Sequence, residues 1–162
     1  MTNGSPILFD ELVLAGHDCC NTYRVECSDS RVTEIYWDTW GLNGTINGTS
    51  LNMLTNLERL YIQNNYLSGT PPSSFPESLI HLNIGVNRFS GALVSMPSNL
   101  QYFHADYNFL TGDMPKIPDS MLDLRFDVGN QFTGAVHLQK PIQLVANGNR
   151  ISRVCTLKIF LT

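Results

Sequence analysis

Apolar residues in this chain recur in blocks of fixed internal spacing. Leu57, Leu60 and Ile62 lead to Asn65, Leu67 and Gly69. The same relative positions return as Leu79, Leu82, Ile84, Asn87, Phe89 and Gly91, and again as Leu100, Phe103, Ala105, Asn108, Leu110 and Gly112. A fourth block, Met121, Leu124, Phe126, Asn130, Phe132 and Gly134, needs one inserted residue before its Asn. A fifth runs Pro141, Leu144, Ala146, Asn149 and Ile151, and an introductory block, Val32, Ile35, Trp37, Trp40, Leu42 and Gly44, has Trp in the Asn place. Side chains alternate across a strand, so the middle apolar pair of each block shares one face of a short strand. The following Asn is predicted to turn inward, where its amide satisfies backbone groups freed by the bend. One block cannot bury its apolar edge alone, but stacked copies share a core.

Between blocks lie Phe75-Pro76-Glu77-Ser78, Met96-Pro97-Ser98-Asn99 and Ile117-Pro118-Asp119-Ser120. Proline fixes φ and lacks a donor, so these return segments should be extended rather than helical. The ladder asparagines 65, 87, 108, 130 and 149 stand 22, 21, 22 and 19 residues apart. The fold expected is an α/β-type repeat solenoid with one parallel sheet of about six short strands and a mostly extended, helix-poor convex side. Residues 1-31 form an amino-terminal cap, 32-151 the repeats, and 152-162 a truncated repeat or terminal strand.

The blocks resemble the leucine-rich-repeat family, whose unit reads LxxLxLxxNxLxG, over about residues 32 to 151. That resemblance implies a right-handed superhelix. Ser68-Gly69-Thr70-Pro71 and Thr111-Gly112-Asp113-Met114-Pro115 look like the plant extracellular class, although the repeats here are shorter. Asp18-Cys19-Cys20-Asn21 with Val25-Glu26-Cys27 looks like the amino-terminal cap of plant receptor ectodomains and polygalacturonase-inhibiting proteins. In those relatives the first adjacent cysteine pairs further upstream, and no upstream cysteine is present here. Cys19 is therefore expected free or joined to another chain.

Composition narrows the function. Among 162 residues, 43% are hydrophobic and only 15% charged, which fits a globular domain. A net charge of -4 disfavours nucleic acid, whose phosphates demand clustered Lys and Arg. No apolar run approaches the roughly 18 residues of a membrane helix, and Met1 to Gly16 lacks the regions of a secretory signal, so a leader is either already removed or never existed. Cys20 and Cys27 suit a disulfide-locked cap better than a metal site, and Cys19 and Cys155 stand at opposite ends of the stack. Asn3, Asn43 and Asn47 open N-glycosylation tripeptides, which with the cysteines point to an extracellular or cell-surface location.

The register assigns outward side chains to three columns on the concave face. The first holds Glu34, Arg59, His81, Tyr102, Asp123 and Gln143, the second Tyr36, Tyr61, Asn83, His104, Arg125 and Val145, and the third Asp38, Gln63, Gly85, Asp106, Asp127 and Asn147. From these, Tyr36, Tyr61, His81, Tyr102, His104, Asp106, Arg125 and Asp127 are the candidate ligand-binding residues, since Tyr combines large area with low entropy cost and a hydroxyl. Asp106 and Asp127 are cross-strand neighbours whose like charges invite a cation, a basic side chain or a raised pKa. His81 and His104 sit in different columns without a third ligand, so no metal or other cofactor is expected. The chain lacks GxSxG, HExxH, a phosphate loop and paired CxxC, and no catalytic residue is assigned.

The expectation is a recognition module for a protein, peptide or glycan ligand, in the manner of a receptor ectodomain or secreted hydrolase inhibitor. The alternative is a structural module that self-associates through its solenoid ends. Leu157, Ile159, Phe160 and Leu161 extend an apolar carboxyl-terminal segment that favours a homo-oligomer if left in water.

Overall fold

The computed structural model describes residues 19–156. The tripeptide at Asn3 and the apolar Leu157, Ile159, Phe160 and Leu161 lie outside them. The described chain opens with a 3-10 turn, Cys19–Asn21, and β1 (Val25–Ser28), which runs antiparallel to β2 (Arg31–Tyr36). A Cys20 to Cys27 disulfide, with Cα atoms 5.6 Å apart, ties these pieces together as a cap over one edge of the long sheet.

The repeats then alternate between two sheets. After β3 (Asn43–Gly44) and the short helix α1 (Gly48–Asn52) come β4 (Arg59–Tyr61), β5 (Tyr66–Gly69), β6 (His81–Asn83) and β7 (Arg88–Ala92). They continue as β8 (Tyr102–His104), β9 (Phe109–Asp113), β10 (Asp123–Arg125), β11 (Gln131–Thr133), β12 (Ala135–Leu138), β13 (Gln143–Val145) and β14 (Arg153–Thr156). Strands β2, β4, β6, β8, β10 and β13 form the expected parallel sheet of six, with β1 added at its edge. The return side is helix-poor as expected, and it carries a feature that periodicity did not reveal. Strands β3, β5, β7, β9 and β11 line up as a second sheet, and β12 pairs in parallel with β14. Arg153–Thr156 thus runs beside β12 on that return side.

The core is a set of vertical files. Leu57, Leu79, Leu100 and Met121 make one, Leu60, Leu82, Phe103 and Leu124 a second, and Ile62, Ile84, Ala105 and Phe126 a third. Every one of these side chains is at most 1% exposed, as are Leu67, Phe89, Leu110 and Phe132 behind the bend. Each except the small Ala105 is worth about 1.5–3 kcal/mol relative to leaving it in water, as an upper estimate. At the last turn the files thin out, and Leu144, Ala146 and Ile151 are only partly buried.

The asparagine ladder joins successive turns. Asn108 Oδ1 accepts the Phe89 N–H of the preceding turn at 3.0 Å, while its Nδ2 donates to the carbonyls of Ile84 and Ala105 at 3.0 and 3.2 Å. Asn65, Asn87, Asn130 and Asn149 repeat this pattern, accepting from Leu42, Leu67, Leu110 and Phe132. Where the first block has Trp40, its backbone N–H donates to Asn65 Oδ1 instead. The inserted residue of the fourth block is absorbed at Gly129, with φ +95°, where a Cβ would stand 2.9 Å from the Asn108 carbonyl oxygen. Only glycine fits there.

Asn108→Ala is expected to cost about 1–3 kcal/mol, because it strands a buried N–H and buried carbonyls. Tyr102→Ala, on the open face, should change stability by less than about 0.5 kcal/mol. Urea unfolding midpoints measure both, and equal losses would show that the ladder does not carry the bend.

Candidate functional site

Strand register sets the outward face. Glu34, Arg59, His81, Tyr102, Asp123 and Gln143 are successive partners, as are Tyr36, Tyr61, Asn83, His104, Arg125 and Val145. Each strand contributes two outward residues because the one between them, such as Leu60 or Phe103, points into the core.

Neighbouring turns bring the rings into one file. Tyr36 and Tyr61 stack at 5.0 Å with planes 9° apart, His81 lies 4.7 Å from Tyr61, and Tyr102 stacks on His81 at 5.1 Å and 19°. His104 meets His81 edge-on at 5.6 Å. The Tyr61 hydroxyl and His81 Nδ1 are 3.2 Å apart, in hydrogen-bond contact. Five of the candidate residues are therefore continuous.

Ion pairs close the file at both ends. Arg59 Nη1 donates to Glu34 Oε1 at 2.5 Å, and the Tyr36 hydroxyl donates to the other Glu34 oxygen. At the far end Arg125 holds Asp123 through Nε and Nη2, at 3.0 and 2.8 Å, and His104 Nε2 lies 3.4 Å from Asp123 Oδ2 without the alignment of a hydrogen bond. Glu34, Arg59 and Asp123 were assigned to columns but not to the site. Their signal was available, since Asp123 precedes Arg125 by two and shares its face while adjoining His104 across the strand.

The environment shifts several protons. Burial, reinforced by the charges of His104 and Arg59, pushes His81 down to about 4. The hydrogen bond to Glu34, burial and that carboxylate's charge push Tyr36 up to about 12. Burial would raise Asp123, which is 8% exposed, but the Arg125 hydrogen bonds and the nearby His104 hold it below the usual carboxylate value.

Asp106 and Asp127 sit apart from the rings, in the third column. Asp106 Oδ1 accepts the backbone N–H of Asp127 at 2.7 Å, so part of the expected like-charge problem is met by a main-chain donor. That contact arises where the inserted residue breaks the simple stacking, since Tyr107 N–H donates to Val128 rather than to Asp127. Together with Gln63, Asn83, Gly85, His104 and Arg125, the two aspartates border a depression of about 340 Å³. No group of three or more metal-ligating side chains occurs among the described residues. Asn43 and Asn47 are both exposed, and Asn47 Oδ1 caps α1 by accepting from Thr49 and Ser50 N–H.

His81 gives the face a pH signature. Its folded pKa lies below the value of 6.5 for the free side chain, so the unfolded chain takes up the proton first as pH falls. Stability from neutral His81 is complete above about pH 6.5 and drains away toward pH 4. His81→Gln should flatten the pH dependence of the urea midpoint across that window. Identical slopes would mean that His81 is solvated rather than buried.

Comparison with known proteins agrees with this geometry. The Leucine Rich Repeat family matches residues 56–77. Protein STRUBBELIG-RECEPTOR FAMILY 1 of Arabidopsis thaliana is 33% identical over 98 residues, which is 60% of this chain and 12% of that protein. The serine/threonine-protein kinase BRI1-like 1 of the same plant is 30% identical over 139 residues, 67% of this chain and 12% of the relative. The chain thus spans about an eighth of the length of these relatives, and no kinase activity carries over. Among solved structures, the ectodomain of the Arabidopsis thaliana receptor kinase SOBIR1 superposes with a TM-score of 0.68 at 25% identity, covering 83% of this chain and 86% of that one. A pollen receptor kinase 3 structure gives 0.61 at 26%, covering 91% and 88%. With its files of leucine, its asparagine ladder and these relatives, the chain is a leucine-rich-repeat solenoid similar to plant receptor ectodomains.

Proposed function

We propose that this chain is a recognition module that binds a protein or peptide on the open face of its long sheet. The observation that carries the reading is the continuous file Tyr36, Tyr61, His81 and Tyr102, with His104 against it. These rings are half-buried on a face that the core does not need, and aromatic groups with polar tips are what recognition surfaces enrich. The rings stack on one another, so their faces are largely occupied, and the Tyr36 and Tyr61 hydroxyls are already bonded to Glu34 and His81. Such a surface suits a polypeptide's carbonyls and side chains better than a sugar, which packs on open ring faces. Arg125, Asp106 and Asp127 supply charge beside the file. The likeness to proteins named as receptors supports the same reading without identifying a ligand.

An extracellular or cell-surface location belongs to the proposal. A Cys20 to Cys27 disulfide suits an oxidising compartment, and Asn43 and Asn47 are exposed within glycosylation tripeptides. No helix of the described residues is long and apolar enough to cross a membrane. The alternative reading, self-assembly through the solenoid end, rests on the partly buried Ile142, Leu144 and Ile151. Lys140, Arg150 and Arg153 cluster in the same stretch of sequence, so two like ends would meet like charge.

Selection of a random-peptide library on the purified protein, with a glycan array in parallel, tests the main reading. Enriched peptides should lose more than about 1 kcal/mol of affinity on Tyr61→Ala or Tyr102→Ala while the melting curves stay unchanged. Peptides indifferent to both substitutions, or glycan hits without peptide hits, would overturn it. Expression through a secretory host should add endoglycosidase-removable glycans at the described tripeptides, one lost in Asn43→Gln and one in Asn47→Gln.

A further inference from the structure

On the return-side sheet the residue after a ladder asparagine faces outward because the next one is buried, as Tyr66 before Leu67 and Arg88 before Phe89. Tyr66 is 51% exposed. The Arg88 guanidinium lies over its ring, with Cζ 5.0 Å from the centroid, and this brace limits the rotamers open to both side chains. Arg88 reaches across from β7, which flanks β5 on one side, while β3 flanks it on the other. The face of the ring away from Arg88 is therefore turned toward β3.

The residue of β3 beside that face is Asn43, which opens the tripeptide Asn43-Gly44-Thr45. Asn43 is the Cα partner of Tyr66 in the parallel pairing of β3 with β5. Its predecessor Leu42 is buried and Asn43 is exposed, so the two partners emerge on the same outer face, about 4.8 Å apart as neighbouring strands are. Thr45, which completes the acceptor tripeptide, is exposed too. A sugar joined to Asn43 Nδ2 hangs one amide beyond the side chain, level with the outer part of the Tyr66 ring. N-acetylglucosamine in β linkage carries axial C–H groups on one side of its ring, and their partly positive hydrogens are drawn to the negative face of an aromatic ring.

Strand β3 has reason to need such a contact. It is two residues long and is the outermost member of the second sheet, and an uncovered strand edge is a weak point that proteins cover or blunt.

We propose that the first N-acetylglucosamine carried by Asn43 packs on the β3-facing side of the Tyr66 ring, so that the glycan pins β3 onto β5 and covers the edge of the sheet. The inference rests on the secretory, glycosylated reading of the chain, and it adds a fixed seat for the sugar.

The test uses the full chain secreted from a host that adds high-mannose glycans, with endoglycosidase H trimming each glycan to one N-acetylglucosamine. All proteins carry Asn3→Gln and Asn47→Gln, so Asn43 is the one acceptor tripeptide left. Mass spectrometry reads its occupancy. In proton spectra the acetyl methyl and ring protons of the sugar should be displaced by the Tyr66 ring current, and should return to their positions in a free glycopeptide in Tyr66→Ala but not in Tyr66→Phe. The urea midpoint should be higher with the sugar than in the Asn43→Gln counterpart, and Tyr66→Ala should remove most of that difference. Sugar protons that never leave the free-glycopeptide positions, or a displacement that persists in Tyr66→Ala, would overturn the proposal while the glycosylation reading stands. An equal gain in midpoint with and without the Tyr66 ring overturns it in the same way. An undecorated Asn43 overturns the proposal and the glycosylation of that site together.

Discussion

Every turn of this solenoid depends on an asparagine that serves two turns at once. A chain that bends sharply inside an apolar stack exposes N–H and C=O groups that no strand can pair, and water cannot reach them. The ladder amides fill both roles. Asn87, for example, accepts from Leu67 and donates to the Ile62 carbonyl of the preceding turn, and to Ile84 within its own. Because donors and acceptors reach backward by one turn, the bend of each repeat is anchored to its neighbour. The same coupling propagates strand register along the stack, so the leucine files and the outward columns stay aligned from β2 to β13. The ladder weakens only at the end, where Asn149 is half-exposed and the apolar positions around it are incompletely covered.

With the core settled by the inward residues, the outward face is free to be specialised. Its side chains interact across turns, as in the file of rings, and along single strands, as Tyr36 with Glu34 and Arg125 with Asp123. The result is a surface with gradients. Ion pairs with Glu34 and with Asp123 bracket a stack of rings, and a carboxylate-lined depression lies alongside. One feature runs against local preference on this side of the molecule, a histidine held neutral by burial. Proteins concentrate such departures where a surface has a task besides stability.

The amino-acid sequence by itself determined the repeat, the inward asparagines, the paired cysteines of the cap and the membership of each column. These follow from spacing alone, because alternation in a strand and repetition along a stack leave one face for each residue. Spacing also located the inserted residue near Asn130, which the chain absorbs at Gly129. What only the tertiary structure decided depends on distances between turns and on competition among neighbours. The second sheet on the return side could not be read, as its strands owe their pairing to the stack rather than to an apolar alternation of their own. Asp123 is legible in the sequence as a neighbour of Arg125 and His104, but that Arg125 turns both Nε and Nη2 onto it is decided by the packing. Asp106 and Asp127 were legible as like charges in contact, but not the backbone N–H that bridges them, since that donor faces Asp106 only because the extra residue shifts the bend. A linear pattern sets which residues share a face, while their protonation and pairing are set by how each packs against its neighbours on the same strand and one turn away.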